Sequence, residues 1–205
     1  MRRAEISRKT KETQIRVALN IDGEGQAAIN TGVGFLDHML THVARHGLFD
    51  LRIDAKGDLQ VDPHHTVEDI GICLGKACNE ALKKPVKEDP GNVAVGLVRF
   101  GHAVIPMDEA LAEVAVDFSG RPFLLFEAPF AHSKVGEFDV ELVEEFFRAF
   151  AMNSRSTIHI LLRHGSNVHH GIEAIFKAFA RAVAQAVLID PCVKGVPSTK
   201  GIIEA

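Results

Sequence analysis

A histidine pair followed by a glutamate occurs twice in the chain, as His64-His65-x-x-Glu68 and as His169-His170-x-x-Glu173. Imidazole nitrogens with carboxylate oxygens suit Mn, Fe, Co or Zn and leave room for water or substrate. On a helix, positions i and i+4 share a face, so His64 with Glu68, and His169 with Glu173, can each hold one ion. Neighbouring residues point ~100° apart, so the second histidine of a pair does not readily join the first on the same ion. His65 and His170 can instead reach across to the neighbouring ion, and such crossed ligation predicts a two-metal centre built jointly by both copies. One HHxxE alone is as readily a solvated helix start as a ligand set. Two copies in equivalent settings favour the metal.

The equivalence extends to the elements that must hold these side chains. The displacement that carries His64 onto His169 also carries Asp62 onto Asn167, both good N-cap residues. It brings Ile70, Leu74, Ala77, Cys78, Ala81 and Leu82 onto Ile175, Phe179, Ala182, Val183, Ala186 and Val187. That is one apolar helical stripe, repeated in phase. Ahead of the first motif, alternating segments predict strands at Arg2–Arg8, Thr13–Ile21 and Gln26–Asn30, with Asp22-Gly23-Glu24-Gly25 as a turn. A helix follows from Phe35 to about His46, closed by Gly47, then a strand over Leu48–Ala55. The second half repeats the order: strands at Val95–Val104, Leu111–Asp117 and Phe123–Ala128, a helix from Val140 to about Met152, a strand at Thr157–Leu162, and the helix capped by Asn167. The pattern is β-β-β-α-β-α, twice, which argues an α+β fold with its helices packed on the sheets. We expect a single domain over residues 1–205, made of pseudo-repeats 1–92 and 93–205 and linked by the charged stretch Lys83–Asn92 with Pro85 and Pro90.

Aligning the halves with a slightly shorter connection makes His38 and Glu145 counterparts, each on the first helix of its half. The ligand sets are then His38, His65, His169 and Glu173 for one ion, and His64, Glu68, Glu145 and His170 for the other. On its own, Glu145 reads as an ordinary surface acid; the correspondence with His38 brings the ligand reading level with that one.

Composition bounds the function classes. With 205 residues and 46% hydrophobic content, the chain can bury a good core. A net charge of −4 leaves no basic footprint, so nucleic acid is not an expected partner. The count of 11 histidines is high for this length and echoes the metal reading. Cys73, Cys78 and Cys192 lack zinc spacing and read as reduced thiols of a cytoplasmic protein. No apolar leader precedes the first strand and no run of about 18 apolar residues occurs, so neither export nor membrane spanning is expected. No Gly-rich dinucleotide or P-loop pattern is found.

Several longer motifs, in order, carry a resemblance: GVGFLDHML (32–40), ARHGLFDL (44–51), DPHHTVED (62–69), DEAL (108–111), DFSGRP (117–122), GSNVHHGIEAIFKAFARA (165–182) and PSTKG (197–201). The chain resembles the imidazoleglycerol-phosphate dehydratase family over nearly its whole length. The resemblance implies duplicated halves with helices packed between two mixed sheets, a ribosomal protein S5 domain 2-like arrangement. It implies a hydro-lyase of histidine biosynthesis that converts imidazole glycerol phosphate to imidazole acetol phosphate and water, using two Mn²⁺ per active site. It further implies a homo-oligomer of 24 subunits with sites between neighbours and metals that help hold the shell. At the position of Glu145 the family pattern usually has His, and PSTKG stands where PSSKG is usual, with Thr199 keeping the hydroxyl.

That reaction removes a carbon-bound proton that is not acidic by itself. Metals on the ring nitrogens would stabilise an imidazolate, whose electron density can expel the hydroxyl. The family match places Glu12 beside the substrate, which makes it our candidate for moving the proton. His46 is a second candidate for substrate contact, although its place at a helix end also suits a simple C-terminal cation. Arg99, Arg121, Lys177, Ser198, Thr199 and Lys200 match substrate-binding positions, as do the ligands His38, His64, His65, Glu68 and His169. Guanidinium and ammonium groups suit the phosphate. Asp108 and Glu109 match the family too, but their local pattern assigns them no chemical step. Two other classes remain open at this stage: a dinuclear metal-dependent hydrolase using a bridging hydroxide, and a metal-storage shell, which would not require Arg99, Arg121 and Lys200.

Overall fold

A computed structural model of the chain describes residues 1–83, 96–195, 197–199 and 203. The expected linker Lys83–Asn92 falls outside the described residues except for Lys83, as does the start of the strand expected from Val95.

Alternation of apolar and polar residues builds the first sheet. In β2 (Thr13–Asn20) Ile15, Val17 and Leu19 face inward and Gln14 and Arg16 outward. β1 (Arg3–Lys9) lies antiparallel to β2, with Arg3 opposite Asn20. β4 (Asp50–Gly57) is antiparallel to the other edge of β2, and β3 (Ala27–Asn30) runs parallel to β4. The spatial order is therefore first, second, fourth, third. The second sheet repeats it: β5 (Phe100–Met107) and β6 (Ala110–Asp117) are antiparallel, β10 (Thr157–His164) is antiparallel to β6, and β7 (Phe123–Glu127) runs parallel to β10. The same strand order in both halves is the duplication expected from the sequence.

Four helices lie among the described residues: α1 (Gly34–Gly47), α2 (His64–Leu82), α3 (Glu141–Ser154) and α4 (Val168–Ala186). They fill the space between the sheets. α2 covers β1 and β2 and packs along α3, while α4 covers β5 and β6 and packs along α1. Phe146, Phe147 and Phe150 of α3 meet Phe176 and Phe179 of α4 at ring-centroid distances of 4.9 to 5.5 Å. Each such buried side chain contributes about 1.5–3 kcal/mol relative to exposure, so this cluster fixes α3 against α4. None of the helices is long and apolar enough to cross a membrane.

Three local expectations are corrected. Gly47 does not close α1 in a left-handed conformation. That role falls to Leu48 (φ 57°), whereas Gly47 is the last helical residue, and a Cβ there would strike the Phe49 ring. The hairpin β8 (Lys134–Val135) and β9 (Phe138–Asp139), ahead of α3, is too short to leave a periodic signal. The strand expected over Val95–Val104 instead begins at Phe100 and runs to Met107, past its expected end. Elsewhere strand and helix ends shift by a residue or two.

Candidate active site

Each HHxxE motif opens its helix with a side-chain oxygen bonded to the amide of its first histidine; Asn167 is the N-cap of α4, whereas Asp62 stands one residue ahead of the Pro63 N-cap of α2. Asp62 Oδ1 accepts from the His64 amide at 2.7 Å, and Asn167 Oδ1 accepts from the His169 amide at 2.9 Å. Both side chains satisfy amides that the helix itself cannot. At α1 the entry is fixed by Asp37, whose Oδ1 accepts from the amide of Thr31 at 2.9 Å and from its hydroxyl at 2.5 Å. His38, His42 and His46 then stand one above another along the helix, with ring centroids 4.5 and 5.5 Å apart.

Because α1 packs on α4, His38 reaches the second motif. His38 Nε2 lies 3.4 Å from Glu173 Oε2, and His169 Nε2 lies 3.3 Å from the same oxygen. His38, His169 and Glu173 offer one ligand atom each within 4.8 Å of one another, the one such group among the described residues. The other oxygen, Glu173 Oε1, faces His42 Nε2 at 3.4 Å and Lys177 Nζ at 2.6 Å. Burial would raise the Glu173 carboxyl, but the Lys177 ammonium and the nearby imidazoles outweigh it and hold it at about 2. Burial pushes the His42 imidazole down to about 4 against the pull of Glu173, so His42 is neutral near pH 7. A buried carboxylate and two imidazole nitrogens converging on one point fit a divalent transition metal or zinc.

His65 is not part of this group. Its Nδ1 lies 3.1 Å from Asp58 Oδ2 and its Nε2 lies 4.0 Å from Glu12 Oε1. Glu12 is carried on a turn built by the Thr10 hydroxyl, which accepts from the amides of Glu12 at 3.1 Å and Thr13 at 2.9 Å. The Thr13 hydroxyl donates to buried Asp69 on α2 at 2.5 Å, which pins that turn beside the first motif. His170 Nδ1 lies 2.8 Å from Glu109 Oε2. The hydrogen bond to His170 is the largest cause holding the Glu109 carboxyl at about 2, and the same bond raises the His170 imidazole. His64, Glu68 and Glu145 are half-buried and join no His/carboxylate group among the described residues. A groove of ≈ 690 Å³ lined by Phe35, His38, Leu59, Pro63, Phe138 and His169 runs from the His38–His169–Glu173 group to the start of α2.

The expected phosphate ligands are spread out. The Arg99 guanidinium is held by both oxygens of Asp117, at 2.6 and 3.0 Å, and donates to the Pro197 carbonyl at 2.8 Å. It thus anchors the segment that leads into Ser198. Arg121 is exposed, with its backbone fixed by Ser119 and Thr157. Ser198 is half-buried and Thr199 exposed; Lys200 lies outside the described residues. Lys177 is half-buried against Glu173 and Met107 rather than presented to solvent.

Sequence reasoning missed His42 and Asp58, and left Glu109, singled out in the DEAL motif, without a role. Helical spacing from His38 could have found His42. Asp58 meets His65 only through the fold of the loop between them, and Glu109 lies far from His170 in the chain, so no short pattern reports either contact.

The model of the imidazoleglycerol-phosphate dehydratase family matches residues 31–183. The enzyme of that name from Bacillus licheniformis is 53% identical over 203 residues, covering 99% of this chain and 100% of that protein. The Geobacter metallireducens enzyme is 56% identical over 202 residues, covering 98% of each. The crystal structure of the Staphylococcus aureus dehydratase superposes with a TM-score of 0.79 at 46% identity, covering 92% of this chain and 99% of that one. That of the Pyrococcus furiosus protein, solved in complex, gives 0.80 at 38% identity, covering 96% and 99%. The hydrolase and storage alternatives fall away. The chain belongs to the imidazoleglycerol-phosphate dehydratase family, hydro-lyases that carry out the dehydration step of histidine biosynthesis.

Proposed function

We propose that this dehydratase works with two Mn²⁺ per active site, one held by His38, His65, His169 and Glu173 and the other by His64, Glu68, Glu145 and His170. The convergence of His38, His169 and Glu173 on one point carries the reading, since it supplies three of the four ligands of the first ion. When bound, the metals supply Lewis acidity toward the ring nitrogens of the substrate. The remaining work belongs to the chain. Glu12, 4.0 Å from His65, takes the carbon-bound proton and returns one to the departing hydroxyl. His46, on the same ridge as His38, contacts the substrate. Arg121, Lys177, Ser198, Thr199 and Lys200 are its substrate-binding residues, with guanidinium and ammonium groups suited to the phosphate, and Arg99 acts there together with the Pro197 segment it holds. The products balance as imidazole acetol phosphate plus water.

His65 and Glu12 sit apart from the His38 group within one chain, which supports sites completed between neighbouring subunits of a 24-subunit homo-oligomer. Each subunit is then a single domain of two pseudo-repeats, 1–92 and 93–205. The test is a dehydratase assay on chelator-stripped protein before and after Mn²⁺ is restored, with product detected as its enol in alkali. Activity that returns with Mn²⁺ at two ions per site supports the assignment. Full turnover by metal-free protein, or saturation at one ion, would overturn it.

A further inference from the structure

In both halves the second histidine of the motif turns the same ring nitrogen toward a carboxylate. His65 presents Nδ1 to Asp58 at 3.1 and 3.3 Å, and His170 presents Nδ1 to Glu109 at 2.8 Å. The carboxylates come from unrelated places. Asp58 follows β4 directly, a few residues ahead of its histidine, while Glu109 sits in the turn between β5 and β6. The repeat therefore did not copy the pair, and the same arrangement is reached from two different elements. A carboxylate at Nδ1 keeps the proton on that nitrogen, leaves the Nε2 lone pair outward, and fixes the ring plane. Exposed ion pairs add little to stability, so stability alone does not account for two such matched contacts.

We infer that Asp58 and Glu109 are positioning residues that set the tautomer and orientation of His65 and His170 for metal binding through Nε2. This rests on the assignment of those two histidines as ligands. Glu109 is itself fixed, since its Oε1 accepts from the Asn167 amide at 2.7 Å and from the Ser166 hydroxyl at 3.4 Å. It therefore ties His170 to the cap of α4. Asp58 is held by its place on the strand end that passes over the first turn of α2, where Gly57 lies against Thr66.

The experiment is Mn²⁺ titration of chelator-stripped full-length protein, read by the electron paramagnetic resonance signal of the unbound ion. D58N and E109Q keep the side-chain shape, and E109Q keeps an oxygen for the Asn167 amide. Each should weaken one class of Mn²⁺ sites by about 10–100-fold, with unchanged far-ultraviolet circular dichroism and melting temperature in the metal-free state. E109D, which retains an anionic acceptor, should recover part of the loss. H65A and H170A serve as the reference for losing the ligand itself. Wild-type affinity in D58N and E109Q alongside weakened H65A and H170A overturns the positioning role alone. Wild-type affinity in all four overturns the ligand assignment together with it.

Discussion

Glu173 divides its two oxygens between different tasks: Oε2 faces His38 and His169, while Oε1 is taken by Lys177 and His42. A carboxylate so held is already oriented for the metal we propose it binds. K177M should leave Glu173 without its nearest cation and weaken Mn²⁺ binding several-fold, measured by the same titration, whereas unchanged affinity would remove Lys177 from that role. Glu12 presents the contrasting case, an acid on an outer turn with no metal partner. E12Q should lower turnover by at least about 10²-fold while metal content stays at the wild-type level. Turnover like wild type would exclude Glu12 as the proton-transfer group. These residues were unequally legible. His38, His169 and Glu173 follow from motif and repeat because helical spacing is local. The reason Glu12 stands near His65 is not local: it depends on the Thr10 hydroxyl and on Asp69, a residue of a different element.

The elements hold these side chains through close helix contact. On α2, Gly71 and Gly75 let the backbone of α3 approach, and a Cβ at either would lie 2.7 Å from the Phe146 carbonyl or 2.6 Å from the Phe150 carbonyl. Neither obstacle is a flexible side-chain end, so the helices must separate to admit a methyl. G71A or G75A should therefore cost about 1–3 kcal/mol, seen as a lower urea midpoint with unchanged slope. Stability equal to wild type would mean that α2 and α3 can shift freely. The apolar stripes of α2 and α4 were readable in the sequence because large apolar residues recur at every third or fourth position along buried helices. The glycine contact was not, since a glycine in a helical pattern does not say what lies against it. The same limit explains Gly47, which reads as a helix stop but serves to make room for Phe49.

At the scale of the molecule, the two halves are tied by a buried cation near the start of the chain. Arg2 pairs with Asp22 at 2.6 Å and donates to the Val187 carbonyl, at the end of α4, at 2.6 Å. Partial burial would raise the Asp22 carboxyl, but hydrogen bonds from Arg2 outweigh it and lower it below the usual 3.8. A carboxylate depressed in the fold contributes stability that is present above its unfolded value and lost as pH falls through the folded one. D22N should thus be less stable by about 1–3 kcal/mol near pH 7, with the gap to wild type closing below about pH 4. A gap that persists into acid would assign the loss to packing instead. The halves so joined still leave His65 away from the His38 group, and that separation leads to a prediction about assembly. If each first-ion site takes His65 from one subunit and His38, His169 and Glu173 from its neighbour, H65A and H169A break opposite sides of it. Each variant alone should be inactive. Mixed by co-expression or by disassembly and reassembly, they should regain activity at about one quarter of the sites, because random pairing brings two intact sides together that often. No recovery in mixed assemblies shown by mass to contain both chains would mean that one subunit supplies all four ligands, with His65 moving to join the group when metal binds.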